Sequence, residues 1–191
     1  MTWPFDPLPP LSYDVIIADP PWLFELRSEA GGAKSAAAHY DLMSLESTQA
    51  LPVGRLAQAD CLLLLWTTGW AMATGQAQSV CRAWEFTPVT EIVWRKTTAL
   101  GRPRVGPGYR ARTMHEPVLV GKIGSPRQLS AFPSLFDGVA REHSRKPEEF
   151  YALVDKHTAG LRRADLFARQ SRPGFDAWGN ETTKFDALEA T

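Results

Sequence analysis

Cysteine and net charge are the two things this sequence is short of. Cys61 and Cys81 are the only cysteines in 191 residues, and both sit in apolar segments. Two thiols cannot frame a disulfide scaffold, and they are expected as buried thiols in a reducing compartment. With four histidines that lack ligand spacing, they support no zinc site or other metal centre. Lys plus Arg equals Asp plus Glu at 21 each, so no overall basic field announces a nucleic-acid binder. The longest unbroken apolar run, Cys61 to Trp66, falls far short of the roughly 20 residues that span a membrane. No basic segment leads into an apolar stretch at the N-terminus, which predicts no secretory signal and a cytoplasmic location. There is no internal repeat, and no Gly-rich phosphate loop of the kind a nucleotide triphosphatase needs. What is present is ordinary globular material, 44% hydrophobic and 22% charged. The length suits one domain over residues 1–191 and is tight for two. Seven Trp offer either core filler or flat stacking surface.

Periodicity predicts the elements. The first ten residues, MTWPFDPLPP, are too rich in proline for a helix or central strand. Tyr13 to Ala18 is a β-branched run suited to a buried strand, ending at Asp19-Pro20-Pro21-Trp22. Residues 23–40 are rich in Gly and Ala and read as a mobile loop. Helical signals begin at Ser44 and run, broken at Pro52 and Gly54, to about Gln58. Further strands are expected over Asp60–Trp66, Val89–Trp94, Pro117–Gly121, Asp137–Ala140, Ala164–Ala168 and Ala177–Gly179. Helices are expected over Trp70–Trp84 and Pro147–His157. Strands alternating with helices predict an α/β fold, with parallel strands and helices on both faces. Ligands of such sheets sit at the carboxyl ends of the strands, where Asp19 and Arg169 fall.

Asp19-Pro20-Pro21-Trp22 is the motif that carries chemistry. The prolines stiffen the turn and remove donors, so the Pro20 carbonyl is held as an acceptor beside the Asp19 carboxylate. Two fixed acceptors suit a planar amine with two N–H groups, and Trp22 offers a flat face for its ring. Holding both hydrogens off the ring plane favours a pyramidal nitrogen whose lone pair can attack an electrophile. The natural electrophile is the sulfonium methyl of S-adenosylmethionine. The alternative is a Pro-Pro turn that caps a strand, with Trp22 plugging the core.

Taken together, the segments resemble the MT-A family of adenine amino-methyltransferases over nearly the whole chain. Asp14 to Trp22 resembles its catalytic strand and turn. Leu63-Leu64-Leu65-Trp66 and Glu91 to Lys96 resemble the next two strands, and His115 to Gly121 the strand after the substrate loop. Ser144 to Tyr151 resembles the segment where a Lys-Pro pair opens a helix. Asp165 to Arg169 and Gly179-Asn180-Glu181 resemble the cofactor end. The resemblance implies a Rossmann-like class I methyltransferase sheet, permuted so that the catalytic motif is N-terminal and the cofactor segment C-terminal. It implies S-adenosylmethionine as cofactor and Asp19, Pro20, Pro21 and Trp22 as the catalytic set. Asp19 would touch both the target amine and the cofactor. Lys146 would meet the methionine end and Asp165 the ribose hydroxyls. Arg169, Asn180 and Glu181 would lie along ribose and adenine. Where the family often has a His-Asn pair, Ala168-Arg169 is followed here by Gln170-Ser171-Arg172. Ser171 and Arg172 stand there as the cofactor contacts. Asp6 is the nearest match to the acidic residue that meets the cofactor base, and Tyr40 resembles a tyrosine near the target base.

The zero net charge hides one anomaly. From Ile92 to His115 there is no Asp or Glu, yet six Lys and Arg are present. Arg102, Arg104, Arg110 and Arg112 fall in a Gly- and Pro-rich substrate loop at about 97–113 and could neutralise phosphates. The target base must leave its stack to reach Trp22. With no added RNA-binding module and a likeness to the family's small stand-alone members, DNA is expected over RNA as the nucleic-acid partner, with no membrane, and a homodimer stays open. Three rival readings stand beside it: RNA adenosine methylation, methylation of a cytosine amine or protein amide, and a silent nucleic-acid-binding subunit.

Overall fold

The computed structural model describes residues 2–22, 43–108, 110–142 and 145–186. Tyr40 and the expected loop at 23–40 lie outside the described residues. Among the described residues, seven strands form one sheet: β1 (Tyr13–Ala18), β2 (Ala57–Trp66), β3 (Thr87–Thr97), β4 (His115–Ile123), β5 (Leu135–Val139), β6 (Arg163–Leu166) and β7 (Phe175–Trp178). Their order is β5-β3-β4-β2-β1-β6-β7. Thus β1 is an interior strand, flanked by β2, which follows it, and by β6 from the C-terminal part. This is a Rossmann-like sheet whose first strand in sequence leads into the Asp19-Pro20-Pro21-Trp22 turn.

All neighbours pair parallel except β4, which is antiparallel to both β2 and β3. The expectation of parallel strands fails there for a simple reason. A parallel return needs a crossover, usually a helix, whereas residues 98–114 join β3 to β4 as a loop. β1 is buried on both sides, which its run of apolar residues foretold. Ile16 packs with Leu63, Leu65 and Trp84 on one face. Val15 and Ile17 pack with Leu64, Trp66, Phe150 and Val154 on the other.

The α-helices among the described residues are α1 (Leu45–Gln49), α2 (Gly69–Ala73), α3 (Gln76–Ala83) and α4 (Glu148–His157). The single helix expected over Trp70–Trp84 is two, because Gly75 takes φ 76° and breaks it. α4 starts after Pro147, whose extended backbone caps it, with Glu148 and Glu149 in the first turn and Lys156 and His157 in the last. Both charge pairs oppose the helix dipole favourably. β6 ends at Leu166 rather than Ala168, since Phe167 turns to φ 62°. The N-terminal arm is anchored: Phe5 is fully buried, its ring edge-on to Trp178 at 5.0 Å. No helix among the described residues is long and apolar enough to cross a membrane.

Candidate active site

Asp19 leaves β1 at the carboxyl edge of the sheet, its N–H donating to Leu166 O at 3.2 Å on β6. The turn that follows is tight. The Trp22 N–H donates to Pro20 O at 2.9 Å, and the Met43 N–H to Pro21 O at 3.1 Å. The Pro20 carbonyl therefore keeps one lone pair for a further donor, not two. Trp22 is 8% exposed, packs in the core, and donates its indole N–H to Trp66 O at 3.0 Å.

Beside this turn lies a row of alternating charges. The Lys146 ammonium, just ahead of α4, is 3.0 Å from Asp19 Oδ1 and 3.2 Å from Glu116 Oε2. Glu116 also pairs with Lys96. Each ammonium lies 5.0 Å from the centre of an indole ring, Lys146 over Trp66 and Lys96 over Trp94. Burial pushes the Asp19 carboxyl above its usual value, and Lys146 partly offsets this. Burial would also raise Glu116, but Lys146 and Lys96 outweigh it and hold that carboxyl low. Burial alone would lower Lys146, whereas Asp19 and Glu116 keep it charged. The row is two cations against two anions, which is how partly buried charges are tolerated.

The cofactor-side residues meet at a shallow open cleft whose wall includes Asp19, Lys146, Asp165 and Arg169. Asp165, on β6 beside Ile17 of β1, is 3% exposed and accepts the Tyr151 hydroxyl at 3.0 Å. Its pKa is raised to about 7, chiefly by burial, against the Tyr151 hydrogen bond and Arg172. The Arg172 guanidinium lies 3.6 Å from the Tyr151 ring centre and donates to Glu148 and Gln170. Arg169 pairs with Glu181 at 3.5 Å, and Lys184 pairs with the same carboxylate at 2.7 Å. Ser171 donates its amide and hydroxyl to Asp186. Asn180 and Asp6 are exposed. β7 returns close to the cleft floor, where a Cβ on Gly179 would stand 3.0 Å from the Ala168 carbonyl.

Asp19, Lys146, Asp165 and Arg169 thus converge, while Ser171, Asn180 and Glu181 lie off the cleft wall. Arg102, Arg104, Arg110 and Arg112 are exposed on the β3–β4 loop. There the side chains of Arg104 and Arg112 donate to Ala140 O and Gly106 O at 3.1 and 2.7 Å. Sequence reasoning missed Glu116, Tyr151, Arg145, Gln170 and Phe185. A signal existed for Glu116, the first acid after the acid-free stretch. Tyr151 could have been found one helical turn past Lys-Pro. The donor set suits S-adenosylmethionine: carboxylates for a sulfonium and a diol, an ammonium for a carboxylate, and flat side chains for a base.

A strand ending in a carboxylate, with a second carboxylate near the end of the adjacent parallel strand, defines the class as a Rossmann-like α/β protein with its ligand site at the carboxyl edge. Residues 13–181 match the MT-A70 family, and the chain belongs to it. Over 93% of its length it is 33% identical to the type II methyltransferase M.MunI of a Mycoplasma species, covering 81% of that protein. It is 33% identical to a putative N(6)-adenosine-methyltransferase MT-A70-like of Medicago truncatula, spanning 26% of it. It is 30% identical to the human N(6)-adenosine-methyltransferase catalytic subunit METTL3, spanning 29% of it. The chain therefore spans most of the first relative but only about a quarter of the other two. The activity of the family is adenine methylation, with S-adenosylmethionine as methyl donor.

Proposed function

We propose that this chain methylates the exocyclic amine of adenine in DNA, at a cytoplasmic site of action in a bacterial or phage setting, as one catalytic domain. The observation that carries this reading is the meeting of Asp19 with Lys146 and Asp165 around one cleft, at the carboxyl edge of the sheet. Asp19 and the Pro20 carbonyl accept the two amine hydrogens and hold the nitrogen pyramidal. Held in the cleft by Lys146, Asp165 and Arg169, the cofactor would supply its sulfonium methyl as the electrophile for this nitrogen. The surplus amine proton passes to water past Asp19. Lys146 orients the cofactor carboxylate, Asp165 its ribose, and Arg169, held by Glu181, the adenosine side, while Ser171 and Asn180 stand outside the cleft wall. The exposed arginines of the 97–113 loop hold phosphates, and Trp22, its ring packed in the core, steadies the turn that meets the target base. Similarity across 81% of a type II methyltransferase, against 26 to 54% of three adenosine-methylating relatives, favours DNA.

Transfer of labelled methyl to matched DNA and RNA oligonucleotides, followed by nucleoside analysis, tests this. The expected product is N6-methyldeoxyadenosine. Product from RNA alone would overturn the substrate, and product from neither would overturn the activity.

A further inference from the structure

The basic loop and the catalytic carboxylate are joined by one row of charges. The feet of the loop are paired across β3 and β4, Trp94 opposite Glu116 and Arg95 opposite His115. Lys96 belongs to both systems. Its amide donates to Met114 O at 2.9 Å, and its carbonyl accepts from Arg104 N–H at 2.8 Å. Its side chain holds Glu116, which reaches the Lys146 ammonium at 3.2 Å. That ammonium is 3.0 Å from Asp19 Oδ1. Both lysine heads sit over indoles, which fixes their height above the sheet.

We infer that Glu116, held by Lys96 at the foot of the loop, is a positioning residue that shares the Lys146 ammonium with Asp19. The inference rests on the function proposed above. Its physical content is competition. An ammonium with one carboxylate closes onto it and occupies the acceptor that a target amine needs. One divided between two carboxylates at nearly equal distance leaves Asp19 partly open to a further donor. Because Lys96 is fastened to the loop through its backbone, seating of a polyanion on the loop reaches Asp19 through three ion pairs in series.

Glu116→Gln keeps the shape and removes the charge. We expect kcat to fall by about ten- to a hundredfold, as for a misplaced catalytic group. KM for the oligonucleotide and Kd for S-adenosylmethionine should stay within about threefold. Glu116→Asp should recover part of kcat, and Lys96→Met should lower it in the same direction. A merely structural role would instead move kcat, KM and melting temperature together. A second readout needs no turnover: the side-chain ¹⁵Nζ resonance of Lys146, identified by its loss in Lys146→Met. Glu116→Gln and Lys96→Met should shift this resonance and speed its exchange with water. An unchanged resonance, or an unchanged kcat in Glu116→Gln, overturns the inference. Should Glu116→Gln not fold, Lys96→Met decides it. If the wild-type chain methylates no oligonucleotide, the function falls, while the resonance still settles the charge sharing.

Discussion

At the scale of single residues, Asp19 answers two opposed demands. In the proposed reaction it must be charged to accept amine hydrogens, yet burial favours its neutral form, and Lys146 partly offsets this. Asp19→Ala removes the acceptor but leaves Lys146 facing Glu116, so no buried ammonium is stranded. Methyl transfer should fall by about a hundred- to a thousandfold, as when one preorganised polar group is taken from an active site, with the melting curve nearly unmoved. Retained activity would remove Asp19 from the mechanism. Asp165 sets a pH dependence of known sign. Below about pH 4 its carboxyl is protonated in folded and unfolded chains alike. As pH rises toward about 7, the unfolded chain gives up this proton and the folded chain keeps it. Stability without cofactor therefore falls across that interval and levels off above it. Asp165→Asn should abolish that part of the slope in denaturant titrations at stepped pH; identical slopes would refute the buried carboxylic acid. Trp22 shows the limit of sequence reading at this scale. Its place after Asp-Pro-Pro suits stacking, but only the fold shows its N–H on Trp66 O and its ring in the core. Trp22→Ala should accordingly cost about 3–5 kcal/mol of stability, besides any loss in base engagement.

At the scale of elements, strands were far more legible than the directions in which they run. β1, β2 and α4 are announced by apolar runs and by the Pro-Glu-Glu start, signals that are local. The antiparallel β4 was not announced, because direction depends on what the intervening segment does in space. Likewise Gly75 splits a helix whose apolar positions read continuously. The β3–β4 loop is legible as charge but not as geometry. Arg104 and Arg112 each commit a donor to main-chain carbonyls of the loop or its neighbour, yet a guanidinium carries five. Arg104 and Arg112 can therefore shape the loop and still meet phosphate. Replacing Arg102, Arg104, Arg110 and Arg112 by Gln should flatten the dependence of log binding constant on log salt. The slope should change by about 0.9 for each phosphate no longer neutralised. A slope that does not change would place the nucleic-acid face elsewhere on the protein.

At the scale of the whole molecule, the site is assembled from the two ends of the chain. Asp19 follows the first strand, whereas Lys146, Asp165 and Arg169 come from the last third, and they meet because β6 inserts beside β1. The order of the segments was readable, since each strand carries its own apolar signature. Their meeting rested on resemblance, because no local pattern says which strand lies beside which. The zero net charge is likewise an average over a polarised molecule, with exposed arginines on one loop and neutralised charge rows at the cleft. This long-range assembly gives ligand binding a global readout. A cofactor that touches β1, β6 and the start of α4 at once binds only the folded chain, so it must raise stability by linkage. At a hundred times its dissociation constant the gain is about 2.7 kcal/mol. For a domain of this size that corresponds to a rise in melting temperature of roughly 5–10 °C. S-adenosylmethionine should produce this rise in the wild-type chain, and Asp165→Ala should need a higher concentration for the same shift. The exposed Asn180→Ala should show a smaller displacement, since Asn180 lies off the cleft wall. A wild-type melting curve indifferent to saturating S-adenosylmethionine would mean that the cleft between β1 and β6 is not where the cofactor binds.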